Sequence, residues 1–435
     1  MVSTDTIVAL SSGNLPSGVA VIRLSGPQSK QIAVSLCQKV PTPRNALLSD
    51  FVNPESMEII DCGLVLWFPG PASFTGEDCL EFHCHGGKAV VSAMLEILCS
   101  FEKVRIAEAG EFSRRAFENE KLDLTQAEGL ADLIASETEA QRRQALDQSQ
   151  GKLREIYLDW RQRLIHIRAL IEAELDFAEE EDVPDEISQE GFAKLSSIVS
   201  EINEHLDDQR VGEIIRDGYR IVLMGKPNAG KSSLLNMLAK RDVAIVTSEA
   251  GTTRDIIDVH LDIAGYPVII SDTAGIRETD NIVEKEGVAR ANERGSSADL
   301  VIWLSALDDQ DYEPEKIHDH AMKLVSKDDE GSLEPGKSIS SKTGYGIDKL
   351  LSEIGSRLES QLSSLSSGVL TRRRHRDLLE ESLALLNEAL NGEMADTTIR
   401  AENIRLAGDC IGKICGKIDV EDLLDVIFSE FCVGK

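Results

Sequence analysis

The spacing of apolar residues changes twice along the chain. Over residues 1–120 they come in short runs bounded by Gly and Pro, as in Gly18-Val-Ala-Val-Ile-Arg23 and Cys62-Gly-Leu-Val-Leu-Trp67. That pattern predicts the short strands of a mixed α/β domain. Between 121 and 214 the spacing becomes three and four. Leu153, Ile156, Tyr157, Trp160, Leu164, Ile167 and Ile171 draw a single stripe along a long helix. The acidic run Glu179–Asp182 before Pro184 reads as a helix end and a solvated turn, with a metal site as the alternative. At Tyr219–Met224 a buried-type apolar run opens a segment, 215–370, that interrupts the helical pattern. From 371 to 435 helices resume, with Leu379, Leu383, Leu386 and Leu390 on one face. A stripe after the insert needs a partner stripe, and the helices before the insert offer one. We therefore expect 121–214 and 371–435 to form one discontinuous helical domain around an inserted α/β domain.

Composition narrows the class. In 435 residues, aromatics make up only 4%, so aliphatic residues carry the apolar weight, as suits a helix-rich chain. No apolar run reaches the roughly 18 residues of a membrane span. The start, MVSTDTIVALSSGNLPSG, lacks the basic opening and apolar block of a signal peptide, so a cytoplasmic protein with no membrane partner is expected. Eight cysteines without a CxxC pair are expected to be reduced thiols. The net charge of −30 opposes nucleic-acid binding over most of the surface, because phosphate contacts depend on Lys and Arg. An RNA substrate would then need a local basic surface or a partner. Arg372-Arg-Arg-His-Arg376 reads either as such a surface or as a solvated helix opening. His83-Cys-His85 reads as strand alternation rather than a zinc site.

The chemistry is concentrated in the insert. Gly225-Lys-Pro-Asn-Ala-Gly-Lys231-Ser232 matches GxxxxGK[ST], directly after a predicted strand and before the helical stretch that opens with Ser232 and Ser233. Backbone N–H groups around Asn228, Ala229 and Gly230 close on phosphate, and the helix N-terminus adds its dipole. Lys231 neutralises β/γ-phosphate charge, and Ser232 is a ligand for Mg²⁺. Asp272-Thr273-Ala274-Gly275 follows an apolar strand, placing a carboxylate near the metal shell and Gly275 near the γ-phosphate. Between them lies Thr247-Ser248-Glu249-Ala250-Gly251-Thr252-Thr253. Its Thr253 hydroxyl is placed to complete the magnesium shell, as in switch loops ordered by the γ-phosphate. The base reader is expected at Ser326-Lys327-Asp328-Asp329, where the common pattern is Asn-Lys-x-Asp. Asp329 accepts the two guanine N–H groups and Lys327 covers the ring. Serine lacks the bracing amide of asparagine, an expected loss of about 1 kcal/mol. Ile276 stands where Ras-like enzymes carry a water-orienting Gln. Help is expected from a monovalent cation held by Asn228 and from Glu284 acting through water.

With these residues in place, the chain resembles the tRNA-modification GTPases of the MnmE (TrmE) family over nearly its whole length. DTIVALSSG with GVAVIRLSGP, GEDCLEFHCHGG, GEFSRRAFENEKLDLTQAEGLADLI and the terminal FCVGK carry the resemblance. It implies an N-terminal folate-binding-like α/β domain that dimerises, a discontinuous helical domain and an inserted Ras-like P-loop GTPase domain. It also implies a potassium-stimulated homodimer acting on tRNA with a flavoprotein of the MnmG family, FAD being held only by that partner. The product would carry an aminomethyl-type group on C5 of the wobble uridine, its carbon drawn from a tetrahydrofolate, 5-formyl- or 5,10-methylene-. By the same resemblance Arg23, Glu81, Lys121 and Lys435 match folate positions. Asn228, Thr247, Glu249 and Thr252 match potassium positions, and Ser232 and Thr253 match magnesium ligands. Glu284 matches the catalytic acid and Cys432 a tail cysteine implicated in modification. From its residues alone, Cys432 is equally a buried hydrophobe after an amphipathic helix or a nucleophile activated by Lys435. A mobile chain end is expected to carry it. The competing function is a ribosome-assembly or RNA-binding switch GTPase without chemistry on RNA.

Overall fold

The computed structural model describes residues 4–176, 186–208, 210–241, 243–245, 258–272, 298–308, 321–362, 368–391, 397–418, 421–429, 431 and 434. Glu179–Asp182, read above as a turn, lies outside them. Contacts gather residues 1–131 with 412–435 into one compact unit and 132–411 into another.

The first unit is built on a six-stranded sheet of order β3-β4-β5-β2-β1-β6. Its strands are β1 (Thr6–Leu10), β2 (Ser17–Ser25), β3 (Leu47–Val52), β4 (Ile59–Phe68), β5 (Cys79–Gly86) and β6 (Val104–Ile106). All pairs are antiparallel except β1–β6. Alternation along the strands separates two faces. Ala20, Ile22 and Leu24 of β2, with Leu80, Phe82 and Cys84 of β5, point into a core shared with Ile32, Leu36, Met94 and Leu98 of helices Ser29–Cys37 and Lys88–Ser100. The same alternation turns His83 away from that core and buries Cys84 between the two histidines. On the opposite face a smaller cluster holds Ile7, Ala9, Ala107 and Phe112.

Buried charge stitches this unit together. Arg115, 5% exposed, donates to Asp5, Glu77 and Glu111. The C-terminal helix Glu421–Ser429 belongs here too: Leu424, Phe428 and Phe431 pack with Leu124 and Ala127. The chain beyond that helix is tethered at Gly434, whose buried carbonyl accepts a bond from the Ser11 hydroxyl at 2.7 Å. Gly434 has φ +96, and a Cβ there would fall 2.3 Å from the Leu10 carbonyl oxygen, so only glycine fits. The free chain end expected from the sequence is therefore pinned at this residue.

The second unit contains a five-stranded sheet of order β11-β10-β7-β9-β8. Its strands are β7 (Tyr219–Gly225), β8 (Asp258–Ile263), β9 (Tyr266–Asp272), β10 (Leu300–Ala306) and β11 (Ala321–Ser326). The pairing is parallel apart from the β8–β9 hairpin. Ile221, Leu223, Ile270, Ile302 and Leu304 form its core with Leu234 and Leu235 of helix Lys231–Leu238 and Leu350 and Ile354 of helix Ile347–Leu362. Central strands of such a sheet read as continuous apolar runs because both faces are covered. Beside it, helix Lys152–Asp176 packs on Glu186–Leu206, which packs on Arg373–Asn391. Leu153, Tyr157, Trp160, Leu164, Ile167 and Ile171 are buried, as the stripe predicts, while Ile156 is partly exposed. Helix Arg373–Asn391 is rotated slightly from expectation: Leu379 and Leu386 are buried with Ser382 and Ala389, and Leu383 and Leu390 lie at the margin. Among the described residues no helix is long and apolar enough to cross a membrane, and no described cysteine is in a disulfide.

Candidate nucleotide-binding site

The phosphate loop runs from the C-terminal end of β7 to helix Lys231–Leu238, at the edge where parallel α/β sheets gather ligands. Gly225 has φ +142, and a Cβ there would lie 2.2 Å from the Leu304 carbonyl oxygen on the neighbouring strand. The loop then turns through two further left-handed residues, Asn228 (φ 64) and Gly230 (φ 87), before the helix begins. Lys231 is 6% exposed, and its ammonium donates to the Gly225 and Lys226 carbonyls, both at 2.9 Å. Burial pushes its pKa down, and Asp272 opposes that shift. The cation is thus drawn back over its own loop, where a phosphate would find it partly desolvated.

The metal side is equally defined. The Ser232 hydroxyl donates to Asp272 Oδ2 at 2.5 Å, although 40 residues separate them. Parallel pairing of β7 with β9 brings them together, with Leu223 opposite Asp272. A hydroxyl and a carboxylate in contact beside a phosphate loop form a hard oxygen donor set that suits Mg²⁺. Ser233 follows on the exposed side of the helix, and Asn228 is exposed at the loop tip.

At the C-terminal end of β11 the segment expected to read the base differs from expectation in one respect. The Ser326 hydroxyl is 2.6 Å from the Ala229 carbonyl oxygen, to which it donates, and 3.3 Å from the Ser305 carbonyl oxygen. The serine therefore does brace the phosphate loop. It succeeds with a short side chain because β11 ends almost against that loop: a Cβ at Gly230 would lie 3.5 Å from the Ser326 Cβ. Lys327 takes φ 63 and turns outward. Its two following carboxylates then diverge. Asp328 is buried and accepts from Ser338 Oγ at 2.7 Å and from the Ser332 and Leu333 amides, bonds that hold its carboxyl down to about 2. Asp329 stays exposed, with Oδ1 accepting from Ser340 Oγ at 2.6 Å and Lys342 Nζ 3.6 Å from Oδ2. Asp328 thus shapes the loop and Asp329 stays at the surface; nothing in the pair's sequence separates those placements.

In the first unit, Arg23 and Glu81 are directly opposite on β2 and β5, joined at 2.9 Å. The guanidinium lies over the rings of Phe74 and Phe112, at 5.6 and 5.9 Å from their centres, and His83 Nε2 is 3.3 Å from Glu81. The side chain of Lys121 is exposed, and its Cγ and Cδ lie 3.4 Å from where a Cβ would stand at Gly76. Thr247, Ser248, Glu249, Ala250, Gly251, Thr252, Thr253, Thr273, Ala274, Gly275, Glu284, Cys432 and Lys435 lie outside the described residues.

The basic cluster at 372–376 is neither a free cationic surface nor a solvated helix opening. Arg372 donates to Asp132 at 2.9 Å and Arg376 to Asp208 and Glu213 at 2.6 and 2.9 Å, while His375 is fully buried. Of the five, Arg373 is the exposed one. Acidic neighbours distant in sequence neutralise Arg372 and Arg376, and an Arg374 guanidinium nitrogen lies 3.1 Å from the His375 ring.

A mainly parallel sheet with a lysine-bearing phosphate loop, a serine–aspartate pair beside it and an exposed aspartate just past the end of β11 defines a P-loop nucleotide-binding enzyme of the GTPase class. Comparison with known proteins gives the family. The family model for the GTP-binding protein TrmE N-terminus matches residues 6–121, and that for the MnmE helical domain matches residues 124–432. The chain belongs to the MnmE (TrmE) family of tRNA modification GTPases. It is 51% identical to a tRNA modification GTPase MnmE of Brucella canis, covering 99% of this chain and 98% of the relative, and 50% identical to one of Brucella abortus with the same coverage. Among solved structures, the G domain of the T. maritima FeoB iron transporter is 23% identical (TM-score 0.23), covering 32% of this chain and 97% of that one. Aquifex aeolicus Era is 20% identical (TM-score 0.25), covering 38% and 67%.

Proposed function

We propose that the chain is a potassium-stimulated GTPase. As a homodimer with a flavoprotein of the MnmG family, it adds a carboxymethylaminomethyl or aminomethyl group to C5 of the wobble uridine of certain tRNAs. The carbon comes from a tetrahydrofolate, 5-formyl- or 5,10-methylene-, and the protein is cytoplasmic. The observation that carries this reading is the match to tRNA modification GTPases along 99% of the chain, combined with a complete phosphate loop. Residues 1–120 serve folate binding and dimerisation, 121–214 and 371–435 the helical scaffold and tail, and 215–370 GTP hydrolysis.

Within the GTPase segment, the N–H groups from Asn228 to Ser233 hold the phosphates and Lys231 leaves its backbone acceptors for them. Ser232 and Thr253 ligate magnesium, with Asp272 holding the Ser232 hydroxyl. Asp329, oriented by Ser340, reads guanine under Lys327. Thr247 to Thr253 with Thr273, Ala274 and Gly275 close over the γ-phosphate, and Glu284 orients water. Asn228, Thr247, Glu249 and Thr252 hold potassium, which supplies the positive charge that an arginine finger supplies elsewhere. In the first unit, Arg23, Glu81, Lys121 and Lys435 bind the folate. An Arg–carboxylate pair over aromatic rings supports recognition of a flat, hydrogen-bonding heterocycle. Exposed Leu48 and Leu64, opposite each other on β3 and β4, with Met57 and Ile59 nearby, support dimerisation through this sheet. Cys432 acts in the modification.

The potassium role is tested by turnover of GTP by the purified protein in potassium and in sodium salts. An arginine finger is worth roughly 10³–10⁵ in rate, so potassium is expected to accelerate hydrolysis by at least about tenfold. Equal rates in the two salts contradict it.

A further inference from the structure

The sheet of the first unit carries a row of directly paired residues across four strands: Ala9 on β1, Arg23 on β2, Glu81 on β5 and Leu66 on β4. Its two charged members sit side by side, but not in the usual way. An arginine and a carboxylate commonly pair as a fork, two N–H groups on two oxygens. Here Arg23 Nε and Nη2 both approach Glu81 Oε1, each at 2.9 Å. The guanidinium leaves Oε2 outside the pair.

That second oxygen is met by His83. It stands two residues along β5, so alternation puts it on the same face, and its Nε2 is 3.3 Å from Oε2. A carboxylate oxygen only accepts, so the imidazole donates from Nε2. Among the described residues no other side chain donates to Oε2, which keeps acceptor capacity for a ligand. The side chains of Arg23, Glu81 and His83 are 23, 16 and 29% exposed, sheltered yet reachable from solvent. His85 is engaged elsewhere, with Nδ1 2.8 Å from Asp61 Oδ1. The wall beside the row is fixed. Phe74 packs with the fully buried Phe112, and Thr75 is held through its carbonyl by Asn119 Nδ2 at 2.8 Å and through its hydroxyl by Ser25 at 2.7 Å.

We propose that His83 is a positioning residue of the folate site: its N–H turns Glu81 so that Oε2, unclaimed by Arg23, accepts an N–H from the edge of the pterin. The inference rests on the reading above that Arg23 and Glu81 bind a folate. Without His83 the carboxylate swings onto the guanidinium as an ordinary fork, and both of its oxygens are then taken from the ligand. His83 acts through Glu81 and need not touch the folate itself.

Two substitutions separate this role from packing. His83→Leu suits the fold, because the residues directly across from position 83 are Val21 and Leu64, and Arg23 still neutralises Glu81. His83→Gln keeps an amide N–H to donate. Full-length parent and both variants are titrated calorimetrically with 5-formyl-tetrahydrofolate, with melting temperature and GTP turnover as controls for folding. Affinity is expected to fall about tenfold in His83→Leu and to stay within about threefold of the parent in His83→Gln, the difference one charge-assisted hydrogen bond makes. A packing role gives the reverse order, since the apolar side chain fits between Val21 and Leu64 better than the amide. Parental affinity in His83→Leu overturns the proposal, and so does a loss in His83→Gln as large as in His83→Leu. Absence of binding by the parent, or parental affinity in Arg23→Ala, overturns instead the reading of this face as the folate site.

Discussion

Replacing Ser326 with alanine isolates one bond between the end of β11 and the phosphate loop. Ser326 is 3% exposed and Ala229 2%, and the serine hydroxyl donates to the Ala229 carbonyl at 2.6 Å. The substitution leaves that carbonyl without its donor in a place water barely reaches, a cost of roughly 1–3 kcal/mol. The bond joins residues 97 apart, so part of the cost falls on the stability of the insert and part on how well the two loops are held for nucleotide. Calorimetric titration with GDP and a non-hydrolysable GTP analogue, in magnesium, is expected to show affinity lowered by about 5- to 30-fold, the equivalent of 1–2 kcal/mol. The melting temperature should fall in parallel. Selectivity for guanine over xanthine should stay parental, because Asp329 keeps its bond from Ser340. Parental affinity together with parental melting would refute the brace. A collapse of base selectivity would mean that Ser326 touches the base itself.

Asp329→Asn removes the acceptor for the guanine N–H groups and should move preference from GTP toward xanthosine triphosphate by roughly 10⁴ in the ratio of affinities; undiminished GTP binding would reassign the reader. His205 sits against Tyr157 and Trp160, with Asp208, His375 and Arg376 nearby. Burial pushes its imidazole from 6.5 down to about 4, only partly opposed by Asp208. Because the folded value is the lower one, protons favour the unfolded chain, and stability present above pH 6.5 is lost as pH falls toward 4, by at most about 3 kcal/mol. Denaturation of parent and His205→Gln across that window checks it: the variant should lose less, and identical pH profiles would refute the assignment.

Much of the fold and the phosphate site was legible because it depends on local pattern. A strand, a glycine-bearing turn and a helix start lie within one short stretch, and the apolar stripe from Leu153 to Ile171 needs only helical periodicity. What escaped depends on neighbours far along the chain. That Ser326 braces Ala229 follows from how close β11 ends to the phosphate loop. The division of labour between Asp328 and Asp329 follows from the left-handed turn at Lys327, which sends one carboxylate inward and leaves the next outside. Arg23 and Glu81, 58 residues apart, pair through strand register. The arginines at 372 and 376 look like a basic patch until folding sets Asp132, Asp208 and Glu213 beside them. The pinned Gly434 was equally invisible, since its acceptor role needs Ser11 from the other end of the chain.

The central claim is that GTP hydrolysis by this chain serves modification of the tRNA wobble uridine. Mass analysis of nucleosides from the wobble position tests it most directly, in a strain lacking the chain and in the same strain given back either the parent or Lys231→Ala. The account predicts unmodified uridine in the first, the modified nucleoside restored by the parent, and no restoration by Lys231→Ala. Modified wobble uridine persisting in the strain that lacks the chain would contradict it.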